Sequence, residues 1–492
     1  MARTMHDYNN NYPDRKDKKD EKDGKDDGKD YDTTVTEYTQ AIEQHPNDGN
    51  NYSWRGRVHL AHHNYAAALE DLNRAIELQP DQGYNYRWRG RVRYELQDYD
   101  TALEDLDRAV ELQPETCQNY HWRGIIFYAL EDYESAFTDF SQAIALVPDG
   151  PKNHFWRGMT SYHLGDSTTA VADFSQAIDL QPDHSRNYSM RAMAHADQEN
   201  FAAAIEDYTR AIALQPGDSY HYYARGQTYY TLQQYEAAVA DLTQALKRQP
   251  GHLDSYIVRG KVYGDMKHCA EAIADFTRAI GLQPDRGDLY RLRGLMHLEI
   301  KRYTAAMDDF NRAIELQPDE SKNYWRRGQL HVRVKHYPPA ITDFTRAVEL
   351  QPDDDDYYYA RGQVYFRLKD YATAEADFTR AVELQPDDGD NYYWRGRARF
   401  AQSEYAAALE DFARAVELQP DDGINYHWRG QAYYHQRDYA AALDDFTRAI
   451  ELLPDKGGNY HWRSRSHLAL RNYRAAMTDY LQFLIKGSRR HG

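Results

Sequence analysis

The sequence predicts an all-α solenoid, a linear stack of 34-residue helix-turn-helix units, and three observations carry that prediction. Thirteen of the 17 prolines fall on one ladder from Pro46 to Pro454, every step 34 residues long, with no insertion or deletion. Between successive prolines, apolar and small residues recur at spacings of three and four in two separate stretches, as two amphipathic helices require. The chain has 492 residues, beyond the roughly 250 to 300 at which a single hydrophobic core stops growing. A fixed period of this size means units that bury their apolar faces only by stacking on their neighbours.

Taken from the start, residues 14 to 30 read DRKDKKDEKDGKDDGKD and hold no apolar side chain. They cannot bury a core, so residues 1–30 are expected to be a disordered charged arm. Residues 31–48 supply half a unit, in which Tyr31, Val35, Tyr38, Ala41 and Ile42 make one helix that can cover the first full unit as an N-terminal cap. Thirteen full units then fill residues 49–490. In the unit at residues 389–422 the first helix, A, carries Tyr392, Arg395, Gly396 and Arg399 on one stripe. The second, B, carries Tyr405, Ala408, Phe412, Ala415 and Leu418. The QPDD that follows stops helix B, because proline cannot continue it, and offers an Asp to cap the next helix A. The other prolines obey the same layout: Pro151 opens a helix A, Pro338 and Pro339 stand in the first turn of a helix B, and Pro13 lies in the arm.

Numbered within the unit, an aromatic at position 4, a small residue at 8, Ala at 20, an aromatic or Leu at 24, Ala at 27 and Pro at 32 resemble the tetratricopeptide repeat. The resemblance covers residues 31–490. Ala holds position 20 in every unit from Ala68 to Ala476, and position 27 in all but the last, where Phe483 stands. The pentatricopeptide pattern, which reads RNA, lacks these alanines and prolines. What the resemblance implies is a right-handed superhelix of about 27 helices, with the helices A lining a concave surface that holds a protein ligand.

The chain is a subtype with Arg-Gly at positions 7 and 8, where most members of the family have Leu at 7. Arg occupies position 7 in all thirteen units, from Arg55 to Arg463, and an Asp follows each one sixteen residues later, from Asp71 to Asp479. At about 100° per residue the Arg falls on the flank of the core stripe of helix A, and the Asp on that of helix B. The expected arrangement is a bidentate clasp between the two helices. The half unit has no helix A and carries Glu37 in place of the Asp.

Positions 2, 6, 9 and 13 lie opposite the core side of helix A, and the resemblance puts the ligand on that face. Position 6 holds Trp54, Trp88, Trp122 and Trp156 in the first four units and Trp394, Trp428 and Trp462 in the last three, with plainer residues between. Arg57, Arg87 and Arg91 accompany the first set, Arg397 and Arg465 the second. Because Trp and Arg dominate binding hot spots, these twelve residues form a candidate peptide-binding groove. The same stripe also suits packing of each Trp against the next helix A, and both readings stand at this stage. The Lys and Asn sets with which some family members clamp a carboxylate tail or a peptide main chain are absent. A peptide rich in proline, aromatic or acidic residues suits Trp and Arg better.

Composition excludes several classes. A net charge of -18 repels phosphate backbones, so no nucleic-acid partner is expected. No apolar run approaches the roughly 18 residues that span a bilayer, and two cysteines make no disulfide framework. The start, MARTMHDYNNNYP, has no apolar signal region, so a cytoplasmic location is expected. No HExxH, phosphate-cradling glycine loop or nucleophile motif is present, hence the expectation of no enzyme activity and no cofactor. His59, His62 and His63 have helical metal-ligand spacing, but no Cys or carboxylate repeats with them, and no metal is expected. The functional expectation is a non-catalytic protein-interaction scaffold that holds an extended peptide or helix in its groove, with an acidic rim at Asp353 to Asp356. The alternative is a structural or self-assembling solenoid, or a regulatory subunit, acting through an apolar C-terminal end. There Leu481, Phe483, Leu484 and Ile485 could join two copies as a homodimer.

Overall fold

The computed structural model describes residues 31–488. The charged arm expected over residues 1–30 lies outside the described residues. Among the described residues there are 27 helices and no strand, so the all-α, 34-residue repeat is what the proline ladder announced. Helix α1 (Tyr31–Gln44) packs on α2 (Gly49–Ala61), which with α3 (Tyr65–Leu78) forms helices A and B of repeat 1. The alternation continues unbroken to α26 (Gly457–Ala469) and α27 (Tyr473–Ser488), helices A and B of repeat 13. The chain divides into two compact units, one up to Ser255 and one from Tyr256. Within each, helix A packs on its own helix B, helix B on the following helix A, and consecutive helices A touch.

Several helices begin on carboxylates. Asp48, Asp388 and Asp422 accept the N–H two residues into their helices A, and Asp132, Asp166 and Asp438 accept the N–H three residues on in their helices B. Helix A ends in a turn where the N–H of position 15 reaches the carbonyl of position 12 and that of position 16 the carbonyl of position 11. In repeat 2 these bonds run from Gln97 to Tyr94 and from Asp98 to Arg93, both 2.9 Å. This closure needs a left-handed residue at position 15. Repeat 4 supplies Gly165, but the other twelve repeats hold a non-glycine residue there with φ between 57° and 67°.

Packing between A and B explains the small residues. The alanines at positions 20 and 27 are buried in every repeat that has them, and the ring or Leu at position 24 is buried in repeats 1 to 12. Position 8 faces that ring: a Cβ on Gly260 would lie 2.7 Å from Phe276, closer than packed carbons approach. Tyr at position 4 reaches the carbonyl of the preceding repeat's proline, as Tyr188 does to Pro182 at 3.1 Å. In repeat 4, His154 Nε2 donates to Pro148 in the same way at 2.9 Å.

The Arg and Asp of each repeat form a two-pronged pair in all thirteen cases; in repeat 12, Arg429 Nε and Nη2 donate to Asp445 Oδ2 and Oδ1 at 2.8 and 2.7 Å. The guanidinium does more than the helical wheel shows. Its third nitrogen, Nη1, reaches back to position 25 of the preceding repeat: Arg225 to Thr209 at 2.8 Å, Arg327 to Asn311 at 2.8 Å, and Arg55 to Thr39 of α1 at 3.0 Å. Position 11 closes on the same carboxylate, as Arg93 does on Asp105 at 2.8 Å and Arg399 on Asp411 at 3.0 Å. His59, His195, His297, His331 and His467 stand 3.7 to 4.0 Å from theirs. A second bridge, invisible in the spacing, is Asn at position 3. Buried Asn119 donates to the carbonyls of Ala109 and Gln113 at 2.8 and 3.0 Å, satisfying the end of the preceding helix B.

The clasp holds the Arg429 guanidinium above its ordinary pKa, because Asp445 accepts its hydrogen bonds. Burial pushes the Asp445 carboxyl up, and the guanidinium pulls it back down. A buried pair of this kind is expensive to halve and much less so to remove whole. Repeat 12 isolates the effect, since position 25 of repeat 11 is Ala413 and offers no third acceptor. Arg429→Leu is expected to destabilise the region by about 3 kcal/mol, and Arg429→Leu with Asp445→Leu to recover part of that loss. Amide hydrogen exchange in repeat 12 measures both; a double variant no better protected than the sum of the single losses would count against the clasp.

Candidate functional site

Position 6 lies at the edge between consecutive helices A, and its indole is shared with the preceding repeat. Trp394 stands edge-on to Phe366 at 5.4 Å and stacks over Phe378 at 6.0 Å; Trp428 meets Phe400 and Phe412 at 5.4 and 6.3 Å in the same way. Trp462 repeats the contact with Tyr434 and Phe446 at 5.3 and 6.4 Å. The partners are positions 12 and 24 of the repeat before, so the aromatic residues chosen there create a slot that only a large flat side chain fills. The tryptophans keep one edge outward and are half-buried, except Trp156, which is 2% exposed among Tyr128, Phe140 and Phe155.

Position 9 interleaves a guanidinium between these rings. Arg57 lies 3.7 Å from the Trp54 ring centre and 4.4 Å from that of Trp88; Arg91 follows at 5.1 Å from Trp88 and 4.5 Å from Trp122. The first unit thus carries a ladder Trp54, Arg57, Trp88, Arg91, Trp122 down its helix A face. In the second unit Arg397 sits between Trp394 and Trp428 at 4.6 and 4.8 Å. Arg465 lies over Trp462 and Tyr434 at 4.6 and 5.1 Å. Each such contact between a cation and a ring face is worth about 0.5 to 2 kcal/mol, more as water is excluded. The ladder therefore holds the guanidiniums between rings before any ligand arrives.

Two of the twelve candidate residues stand apart from this face. Arg87 is 8% exposed and donates from Nη1 to Asn119 Oδ1 at 3.1 Å, so it belongs to the junction between repeats 2 and 3. Trp156 fills the core between repeats 3 and 4 and has no position 9 arginine beside it, because repeat 3 has Ile125 there. The helical wheel already sets Arg87, at position 5, off the face of positions 2, 6, 9 and 13, but it could not separate Trp156 from the other tryptophans, since it gives an angle on one helix and not the neighbour across it.

Two histidines that the residue pattern did not flag stack on the tyrosine at position 17 of the preceding repeat. His435 lies 4.6 Å from Tyr405 with planes 15° apart, and His163 lies 4.9 Å from Tyr133 with planes 7° apart. The three histidines with metal-ligand spacing diverge: His59 Nδ1 bonds the Tyr31 hydroxyl at 2.8 Å, His62 packs on the Tyr31 ring, and His63 Nδ1 meets the Tyr65 hydroxyl at 3.0 Å. Among the described residues no group of three or more His, Cys, Asp or Glu side chains is placed to hold a metal ion. Likewise, among them no helix is long and apolar enough to cross a membrane.

Beside Trp428, buried His427 faces Phe446 and Gln431. Burial lowers its pKa to about 4, with the nearby Lys456 charge adding to the effect and a hydrogen bond to Asn459 opposing it. A histidine whose folded pKa lies below its unfolded value of about 6.5 leaves stability intact above pH 6.5 and removes it as the pH falls toward 4. Between pH 6.5 and 5 the loss should be about 1 to 2 kcal/mol. Tyr occupies the same position as Tyr359 and Tyr393. His427→Tyr should therefore flatten the dependence of Tm on pH over that interval; an unchanged slope would show that His427 does not titrate on unfolding.

Family models described as tetratricopeptide repeat match residues 56–121 and, with a second model, residues 123–185, 189–252, 257–321, 326–389 and 393–456. No curated protein matches the chain. Similar solved structures include the APC/C hetero-tetramer Cut9-Hcn1, at 15% identity over 89% of this chain and 93% of that one, with a TM-score of 0.40. Yeast Tom70 is similar at 16% identity over 88% and 96% of the two chains, with a TM-score of 0.39. A tetratricopeptide repeat protein from Parabacteroides merdae matches at 18% identity over 50% and 98%, with a TM-score of 0.41.

Proposed function

Because the chain belongs to the tetratricopeptide repeat family, whose members are scaffolds for protein interaction, we propose that it recognises a partner protein through the Trp–Arg ladders on its helices A. The ligand is an extended peptide or helix rich in proline, aromatic or acidic residues. Intercalation of arginine between indoles is the observation that carries this reading. Held between rings, the guanidiniums lose little side-chain freedom on binding, and preorganisation of this kind turns contact into affinity. The indole edges left outward offer apolar area to a proline or an aromatic ring, and the guanidinium edges offer donors to a carboxylate. Nothing in the clasps or in the buried histidines calls for chemistry on a bound molecule.

A second reading rests on the end of repeat 13. Tyr473, Met477 and Ile485 are 67, 62 and 52% exposed, and Leu481 and Leu484 about half exposed beside them. Phe483 turns inward instead and packs on His461 at 4.9 Å. A second copy covering this end would make the protein a homodimer, and light scattering across a range of concentrations is then expected to give twice the chain mass; a constant monomer mass removes the reading.

Substituting tryptophan would damage the junctions, so the ladder is better tested through its arginines. Gln already occupies position 9 as Gln227, Gln329, Gln363 and Gln431, so Arg57→Gln, Arg91→Gln and Arg397→Gln together should keep the fold. The triple variant is expected to lose, by about tenfold or more, capture of proteins that co-purify with the intact chain. Undiminished capture with an unchanged circular dichroism spectrum would sink the ladder as the binding surface.

A further inference from the structure

The turns between helices A and B stack along one edge of each unit, and four consecutive turns of the second unit, those of repeats 7 to 10, carry lysine; after Ser403, Arg437 and Arg471 take the same position in repeats 12 and 13. The left-handed residue is lysine in all four, Lys267, Lys301, Lys335 and Lys369, with φ from 59° to 67°. In the first unit the same position holds no lysine, and twice a glutamate, Glu131 and Glu199. All four lysines are exposed, and none makes an ion pair among the described residues. Exposed Arg333 and Arg367 extend the edge; the carboxylates of Asp265, Glu299 and Asp370 are too few to neutralise it.

The next residue in each turn is the N-cap of helix B. Repeats 3, 4, 10 and 12 place there Asp132, Asp166, Asp370 and Asp438, each accepting an amide N–H. Repeats 7, 8 and 9 have His268, Arg302 and His336, and none of these makes a side-chain cap bond. Arg302 gives up the cap and also sets a full positive charge at the positive end of a helix dipole. Both choices are unfavourable for the helix. Asn64, Asp98, Gln234 and Glu404 also make no side-chain cap bond, so what distinguishes these turns is the cation that Arg302 adds to the run of lysines.

We propose that this edge is a docking strip for an acidic segment of a partner protein, an extended stretch rich in Asp and Glu. It is separate from the ladders, which lie on the helices A of repeats 1 to 3 and 11 to 13. Packed helices repeat at about 10 Å, so four turns span roughly 30 Å, the reach of about nine extended residues. A single acidic strand can follow one line of cations, whereas a duplex presenting a charge every 1.7 Å or so would also meet the repulsion of a chain whose net charge is -18. Salt should weaken the contact, because all its cations are exposed.

The test is fluorescence anisotropy of a labelled oligoglutamate of about nine residues with the full chain at low salt. The intact protein is expected to bind, and Lys301→Glu, Lys335→Glu and Lys369→Glu together to weaken binding about tenfold or more. Arg302→Asp provides a second measurement: by restoring the cap it should raise Tm, and by removing a cation it should weaken the peptide. No binding by the intact chain, or equal binding by the lysine variant and Arg302→Asp, would overturn the proposal; so would tighter binding of a single-stranded DNA of equal charge, which would make the strip a nucleic-acid contact.

Discussion

One guanidinium per repeat organises this protein. From position 7 it grips the carboxylate sixteen residues ahead in its own helix B, and in most repeats it also touches a hydroxyl, amide or carboxylate sixteen residues behind in the previous helix B. The neighbouring choices follow from that grip. Helices A and B approach closely enough for a two-pronged pair, which keeps position 8 small, as Gly in eleven repeats and as Ala192 and Ser464 in the other two, and fills positions 20 and 27 with alanine. A buried pair of this kind adds little net stability over an apolar substitute, because desolvation offsets most of the attraction. What it does impose is register: a helix slipped by one turn would leave a charge buried without its partner.

Much of this was legible because a 34-residue period converts directly into stacked units, and a sixteen-residue interval converts into facing sides of two helices. What escaped reading shares one physical cause. Periodicity gives an angle around a helix axis and says nothing about which side chain stands across the gap. The backward reach of the arginines, the asparagines at position 3 that satisfy the preceding helix end, and the burial of Arg87 and Trp156 all depend on that neighbour. Turn chemistry failed for another reason. Position 15 adopts a left-handed backbone in twelve repeats without glycine, because the two hydrogen bonds that close helix A outweigh the modest local strain.

Net charge was the least faithful guide. The value of -18 averages over features that differ in kind: paired charges in the clasps, capping aspartates that serve helix ends, and exposed lysines with no ion-pair partner. Only the last kind projects a field that a ligand would feel, and at physiological salt it does so over about 8 Å. An acidic protein can therefore present a locally basic edge without contradiction. The tyrosines teach the same lesson. About half of them stand at positions 4 and 17 of the repeat; at position 4 the ring lies beside the clasp guanidinium and, in several repeats, the hydroxyl reaches the preceding proline carbonyl, so their abundance reflects construction.

Position 25 usually carries a polar group because the next arginine reaches back to it. Where it does not, as at Ala413, the following Arg429 still holds Asp445 with both prongs. A clasp is complete within its own repeat and carries no record of its ordinal number. Duplication or excision of a whole 34-residue unit would leave every remaining clasp intact, so the number of repeats is free to drift over evolutionary time, and with it the distance a bound partner must bridge.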